Sequence, residues 1–422
     1  MRRTTTRRTR ARALGTLATA AAVALSACAA PVSNRTGTAD DGYASWEDVA
    51  ADARGQEVSL WMWGGDEKGN AYVDDVLAPA AADQGVTLRR VPVADTADAL
   101  NRVVSELQAG QDSDGAVDLV WVNGENFRTG QQAGAWECGW TDLLPNSAYL
   151  DPTDPLLAED FGTPVEGCES PWHKAQFALA YDAADVQHPP TSLTELFDWA
   201  RAHPGRFTYP APPDFTGSAF LRQSLYEVTG GPEQVPAGPD DDGAAGATSA
   251  LWAELADLEP SLWRGGDTYP RDAAALDDLF AGDQVDFTMT YGPATLDARV
   301  ADGTFPETTR VLTLDDGTLG NASFLAIPAN AAHQAGAMVV ADLALAPEQQ
   351  LAKADPAVWG QYPVLELDRV PDDLAEQFAD LAPSTVVPPF DELSRGADPE
   401  LSADWVAPLE RGWRDNVLTG QR

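Results

Sequence analysis

EVSLWMWGG, Glu57 to Gly65, decides how the rest of the chain is read. Val58, Leu60 and Met62 alternate with Ser59, Trp61 and Trp63, the period of a strand with two distinct faces, and Gly64-Gly65 ends it. Outward from there, helical signals run to about Asp83, with Pro79 predicted to kink or break the helix. Val86 to Val93 reads as a second strand, rich in β-branched residues. Asp95 then caps a helix whose Leu100, Val103, Val104 and Leu107 share one face, stopped by Gly110. Val117 to Val122 is a third, almost continuously apolar strand, as expected when both faces of a parallel sheet are covered. This βαβαβ order predicts an α/β fold opening on a doubly wound lobe.

Further along, Ala175 to Tyr181, Phe207 to Tyr209, Val285 to Met289, Val311 to Leu314 and Ser323 to Ile327 read as strands. Ser192 and Glu195 make a capping box for a helix closed by His203-Pro204-Gly205, and Thr216-Gly217-Ser218 opens another through Val228. Gly230 to Ala250, rich in Gly, Pro, Ala and Asp, is expected to be a mobile surface excursion.

The chain has 422 residues, 44% hydrophobic and 22% charged, enough apolar material for a core, so disorder is not its main state. The formal net charge of -39 repels polyanions, making nucleic acid and anionic membrane surfaces poor partners. Four His and three Cys leave few ligands for a transition-metal cage, and no metal or cofactor is expected.

Residues 1–27 read as an export signal: six arginines without an acid, then a small-residue apolar run from Ala13 to Ala27 too short to span a bilayer. Leu25-Ser26-Ala27-Cys28 resembles a lipobox, in which Cys28 becomes the lipidated first residue of the mature chain. Removing residues 1–27 takes the charge from -39 to -45, because six Arg and no acids leave. Residues 28–55 are expected to be the lipidated Cys and a flexible tether. Cys138 and Cys168 then remain as an even pair in an oxidising compartment and are expected to bond, the alternative being two separate buried thiols.

No phosphate-cradling G-x-x-x-x-G-K, H-E-x-x-H, C-x-x-C or G-x-S-x-G motif is present. His173, His188 and His203 lack metal-ligand spacing and read as surface or capping residues. What stands out is a set of loops between predicted strands and helices: Trp63-Gly64-Gly65-Asp66, Asn123-Gly124-Glu125-Asn126, Asp214-Phe215-Thr216-Gly217-Ser218 and Tyr291-Gly292-Pro293. Open α/β sheets bind ligands at such strand ends, where glycine lets backbone approach closely and aromatics supply flat walls. Trp63, Gly64, Gly65, Asn123, Glu125, Asn126, Asp214, Phe215, Thr216, Gly217, Ser218 and Tyr291 are therefore the candidate ligand-binding residues, with none catalytic. Trp63, Trp121, Phe215 and Tyr291 suit a flat or cationic ring, and Glu125 and Asp214 would neutralise a positive charge. Thr216-Gly217-Ser218 at a helix start suits a phosphate or carboxylate instead, so a zwitterionic or phosphorylated cation would satisfy both.

LWMWGG at 60–65, RVPVADTADALNRV from Arg90 onward, DLVWVNGENF at 118–127 and above all GRFTYPAPPDFTGSAFLRQ at 205–223 resemble the solute-binding proteins of ABC importers, and more narrowly their YnjB-like branch, related to thiamine, iron and polyamine binders. The resemblance implies a two-lobed periplasmic-binding-protein-like (type II) fold, closing like a hinge on a small solute. Its partners would be an ABC permease and ATPase, with membrane contact only through Cys28 and no nucleic acid. With it, the pattern places lobe one at 56–174 plus 320–363, lobe two at 183–307 plus 364–422, and the crossings near 175–182 and 308–324. The default oligomeric state is a monomer. Two other readings compete: a secreted hydrolase using Glu125 or Asp214, and a sensory or binding lipoprotein that does not transport.

Overall fold

The computed structural model describes residues 42–418 apart from positions 294, 382, 383 and 395. The export signal, the lipobox cysteine Cys28 and most of the expected tether lie outside the described residues.

The strands that position the site are β1 (Glu57–Trp63), β2 (Thr87–Val93), β3 (Leu119–Val122), β4 (Glu169–Gln176), β5 (Ala178–Asp182), β6 (Phe287–Thr290), β7 (Thr309–Leu312), β8 (Leu319–Ala326) and β9 (Asp398–Pro399). The helices used below are α1 (Trp46–Asp52), α2 (Thr96–Gln108), α3 (Gly124–Gln132), α4 (Phe215–Thr229), α5 (Ala244–Leu258), α6 (Gln334–Leu345) and α7 (Val406–Trp413).

β1 lies between β2 and β3, parallel to both, with Glu57 opposite Thr87 and Leu60 opposite Leu119. β8 joins antiparallel to β3 and also pairs with β4 and β9, completing a mixed sheet of six strands. β5 is the centre of a second sheet, antiparallel to β6 and β7. The chain leaves the large sheet at Gln176 and enters the small one at Ala178; between them the Phe177 N–H donates to the Leu319 carbonyl at 2.8 Å. It returns between Leu312 and Leu319, and β8 carries Leu319 in one apolar core and Leu325 in the other.

One core gathers Val58, Leu60 and Met62 of β1 with Val339, Val340 and Ala344 of α6. The other gathers Leu179, Phe220, Phe287 and Trp405. The alternation of β1 thus places Val58, Leu60 and Met62 inside, as its period requires.

Several expectations are corrected. Residues 46–52 are not tether: Ser45 caps α1, and Val49 is buried in the first core. The segment 364–378, expected in lobe two, puts Val364, Leu365, Val370 and Phe378 in the first core; only from Val386 does the chain join the second. Phe207 to Tyr209 form no strand, yet Phe207 and Tyr209 are wholly buried. The Gly230–Ala250 excursion ends early, because α5 begins at Ala244. Pro79 does not break the helix: helical backbone continues from Glu67 to Asp83, with a π-helical turn at Val73–Leu77 directly before it that accommodates the missing N–H.

Candidate ligand-binding site

Asn123 is extended and Gly124 takes a φ of +62, a left-handed turn that glycine adopts freely, so α3 starts directly from the end of β3. The Gly124 N–H donates to both carboxylate oxygens of Asp160, at 2.8 and 2.7 Å. Asp160 belongs to a short hairpin, Glu159–Asp160 with Thr163–Pro164, whose turn carries Phe161. A side chain at Gly124 would touch the Phe161 ring at 3.4 Å.

From the other core comes α4. Asp214 caps it, accepting from the Gly217 N–H at 2.9 Å, and its other oxygen accepts from Ala273 N at 3.3 Å. Gly217 abuts the Pro210 carbonyl so closely that an added Cβ would stand 2.2 Å from that oxygen. One turn beyond Ser218 on the same face lies Arg222, 1% exposed. Its guanidinium grips Glu400 with two hydrogen bonds, Nε to Oε2 at 2.8 Å and Nη2 to Oε1 at 3.1 Å, and Nη1 donates to Ser218 Oγ at 3.1 Å. The same guanidinium lies 5.1 Å from the centre of the Phe161 ring and 6.0 Å from that of Phe215. The Tyr291 hydroxyl donates to Glu400, and its ring lies 5.2 Å from Phe215 and 5.8 Å from Phe177.

Glu400 reaches this point because β9 pairs with the start of β8. Just beyond, Ala403 N donates to the Phe161 carbonyl and Arg128 of α3 bonds Asp404, so residues 398–405 strap the hairpin and α3 to the second core. Glu125, Asp160, Glu400 and Glu410 thereby gather around one guanidinium. Burial pushes the Glu125 carboxyl above its ordinary range, while its backbone N–H and Arg222 pull it back. Burial lifts Asp160 well above its range against the Gly124 N–H, and lifts Glu410 against Ser218. Burial likewise holds the Tyr291 phenol protonated. The arrangement is a ring-lined acidic recess supplied by both halves.

Residues 75–367 match the family described as bacterial extracellular solute-binding protein. The chain belongs to this family. Protein YnjB of Escherichia coli (strain K12) is 39% identical over 368 residues, 87% of this chain and 92% of that protein. Among solved structures, the spermidine/putrescine ABC transporter substrate-binding protein PotD of Streptococcus pneumoniae superposes with a TM-score of 0.61 at 12% identity, covering 86% of this chain and 99% of that one. Iron-bound HitA of Pseudomonas aeruginosa gives 0.55 at 18% identity, covering 84% and 98%. At such identities the likeness shows the fold: a two-lobed periplasmic binding protein with a mixed sheet. The protein is thus an extracellular solute-binding protein. No helix among the described residues is long and apolar enough to cross a membrane.

Within this solute-binding protein the candidate residues divide. Glu125, Phe215, Ser218 and Tyr291 meet around Arg222 and Glu400. Asp214, Thr216 and Gly217 build the start of α4, and Asn123 the start of α3; Asn126 follows in its first turn. Trp63, 47% exposed, folds over Gly65 beside Gly64 and makes no ring contact with Phe161, Phe215 or Tyr291 among the described residues. Behind that loop Trp121, Trp172, Trp359 and His173 form a block of rings 5.2 to 6.1 Å apart, and Trp359 Nε1 donates to Asp66 at 2.7 Å. His173 is therefore neither surface nor cap but 3% exposed inside this block, where burial keeps it neutral. His203 does sit at a helix end, its Nδ1 2.8 Å from the Trp199 carbonyl.

Asp160, Phe161, Arg222, Glu400 and Glu410 were not among the sequence candidates. Arg222 carried a signal, as the one basic residue of its helix, four residues after Ser218. The others arrive from distant segments whose local sequence says nothing of the meeting.

Proposed function

We propose that the recess around Arg222 captures a small organic solute, cationic or zwitterionic and thiamine-like in pairing positive charge with a flat ring, and delivers it to the membrane permease. The observation that carries this is the meeting of three rings, Phe161, Phe215 and Tyr291, with four carboxyl groups and a single guanidinium where segments of both cores converge. A cation over an aromatic face contributes about 0.5 to 2 kcal/mol, and carboxylates in a partly dry recess add to it. Solute that touches α4 and α3 together favours the shut state over the open one by its differential affinity, and the transporter reads that state. Cys28 serves as the lipid attachment point that keeps a monomeric protein at the outer face of the cell membrane.

Isothermal titration with thiamine, putrescine and choline tests the reading. At least one is expected to bind with one-to-one stoichiometry, and Phe215→Ala should weaken that binding about tenfold. Binding untouched by Phe215→Ala would move the site elsewhere.

A further inference from the structure

The Gly124 N–H, the Gly217 N–H and the Arg222 guanidinium, donors that an anion would seek here, are each taken by one of the protein's own carboxylates. Asp160 takes the Gly124 N–H that opens α3 with both its oxygens. Asp214 does the same at the start of α4 through Gly217. Glu400 takes the guanidinium of Arg222 in two bonds and the hydroxyl of Tyr291 in another, and Ser218 accepts the remaining side of Arg222. Arg222 is at the same time sealed from solvent at 1% exposure, with Phe161 and Phe215 over it. What remains open is of the opposite kind: the part-exposed Glu125 carboxylate, which accepts from its own backbone N–H and faces the charge of Arg222, and the part-exposed rings of Phe215 and Tyr291.

We infer that the solute is recognised as an organic cation without a phosphate or carboxylate group that the site binds. The inference rests on the reading that this recess captures solute, and it narrows that reading. A phosphate approaching the recess would meet the carboxyl groups of Glu125, Asp160, Glu400 and Glu410, and displacing Glu400 from Arg222 would leave a buried carboxylate unpaired. The helix start that suggested an anion site from sequence, Thr216-Gly217-Ser218, is filled from within, because Asp214 caps it. An ammonium or aromatic cation instead finds acceptors and π faces ready and displaces nothing.

Matched pairs test this by isothermal titration on the mature protein: thiamine against thiamine monophosphate, choline against phosphocholine, and putrescine against 4-aminobutyrate. The expected result is that whichever pair binds does so through its cationic member, with the anion-bearing member about tenfold weaker or worse. Equal or tighter binding of the anion-bearing member overturns the inference and leaves solute capture standing. Failure of all six compounds overturns both, since the recess then captures no solute of the proposed kind. In a second arm, Glu125→Gln, whose folding is checked by circular dichroism, should weaken the bound cation about tenfold, and an unchanged affinity again overturns cation recognition. Glu400→Gln frees Arg222, so inorganic phosphate should stabilise that variant against heat and leave the parent protein unmoved. Stabilisation of the parent by phosphate contradicts the inference.

Discussion

Arg222 and Glu400 form an ion pair shut away from water at 1% and 3% side-chain exposure. Such a pair is costly to break and cheap to replace whole, because the penalty comes from the charge left behind. Urea denaturation of Arg222→Met should therefore show a loss of about 3 to 5 kcal/mol, while Arg222→Met combined with Glu400→Met should recover most of it. Equal losses in the single and double variants would mean that the pair is not what holds this corner. Glu125 gives the pH dependence. Burial raises its carboxyl above the ordinary range, so its charge disappears earlier on acidification than in an exposed glutamate. Affinity for a cation is consequently expected to fall on acidification from neutral pH sooner than an exposed glutamate would make it, and Glu125→Gln should flatten that dependence. A titration series in which the parent and the variant weaken in parallel would assign the effect to another group. At this scale the sequence is least legible. Glu125, Phe215, Ser218 and Tyr291 announce themselves by standing in strand-end loops, but Asp160 and Glu400 look like any of the chain's 66 acids until the backbone brings them to Gly124 and Arg222.

Elements explain why the site residues keep their places. β1 was readable to the residue because Val58, Leu60 and Met62 alternate with Ser59, Trp61 and Trp63, and Gly64-Gly65 follows. β4 was not, because Pro171, His173, Lys174 and Gln176 break any alternation; its pairing with β8 is set by the crossing between sheets rather than by local pattern. Phe207 to Tyr209 show the converse, apolar residues buried for packing without a ladder to join. The start of α4 has the least room: Gly217→Ala would place a methyl against the Pro210 carbonyl, a loss of about 1 to 3 kcal/mol if the helix shifts to relieve it. Since that shift carries Ser218 and Arg222, solute affinity should fall with stability, whereas Gly246→Ala, in the open on α5, should leave affinity unchanged and raise stability by about 0.5 to 1 kcal/mol. Calorimetry on the two variants separates the cases. Cys138 and Cys168 are joined across a sequence separation of 30, adjoining β4. Closing such a loop contributes about 3 to 4 kcal/mol on the chain-entropy model, so reduction should lower the melting temperature without abolishing solute binding.

Across the whole molecule, a charge of -39 in the full sequence means that like-charge repulsion opposes the compact state at neutral pH. Burial also raises Asp277, Asp342 and Asp398 to about 6. A carboxyl raised on folding favours the folded state below its unfolded value near 4, and that contribution is lost as pH rises through about 6. Both terms have the same sign. The melting temperature is expected to be higher at about pH 5 than at about pH 7.5, and added salt should shrink the difference by screening the repulsive part. The opposite order would contradict this balance of buried acids and net charge. The two-sheet architecture was legible in the sequence because βαβαβ patterning and the GRFTYPAPPDFTGSAFLRQ segment are each unusual. The course of residues 364–422 was not, because its short helices carry apolar residues for both cores and only packing decides between them.

The central claim is that a small organic cation sits among Glu125, Phe215 and Tyr291. Native mass spectrometry of the freshly isolated protein tests it most directly. The account predicts a one-to-one adduct that fragments to a small cation and is absent from the Glu125→Gln, Phe215→Ala double variant. An adduct that persists in the folded double variant, or that proves to be a phosphate or carboxylate, would contradict it.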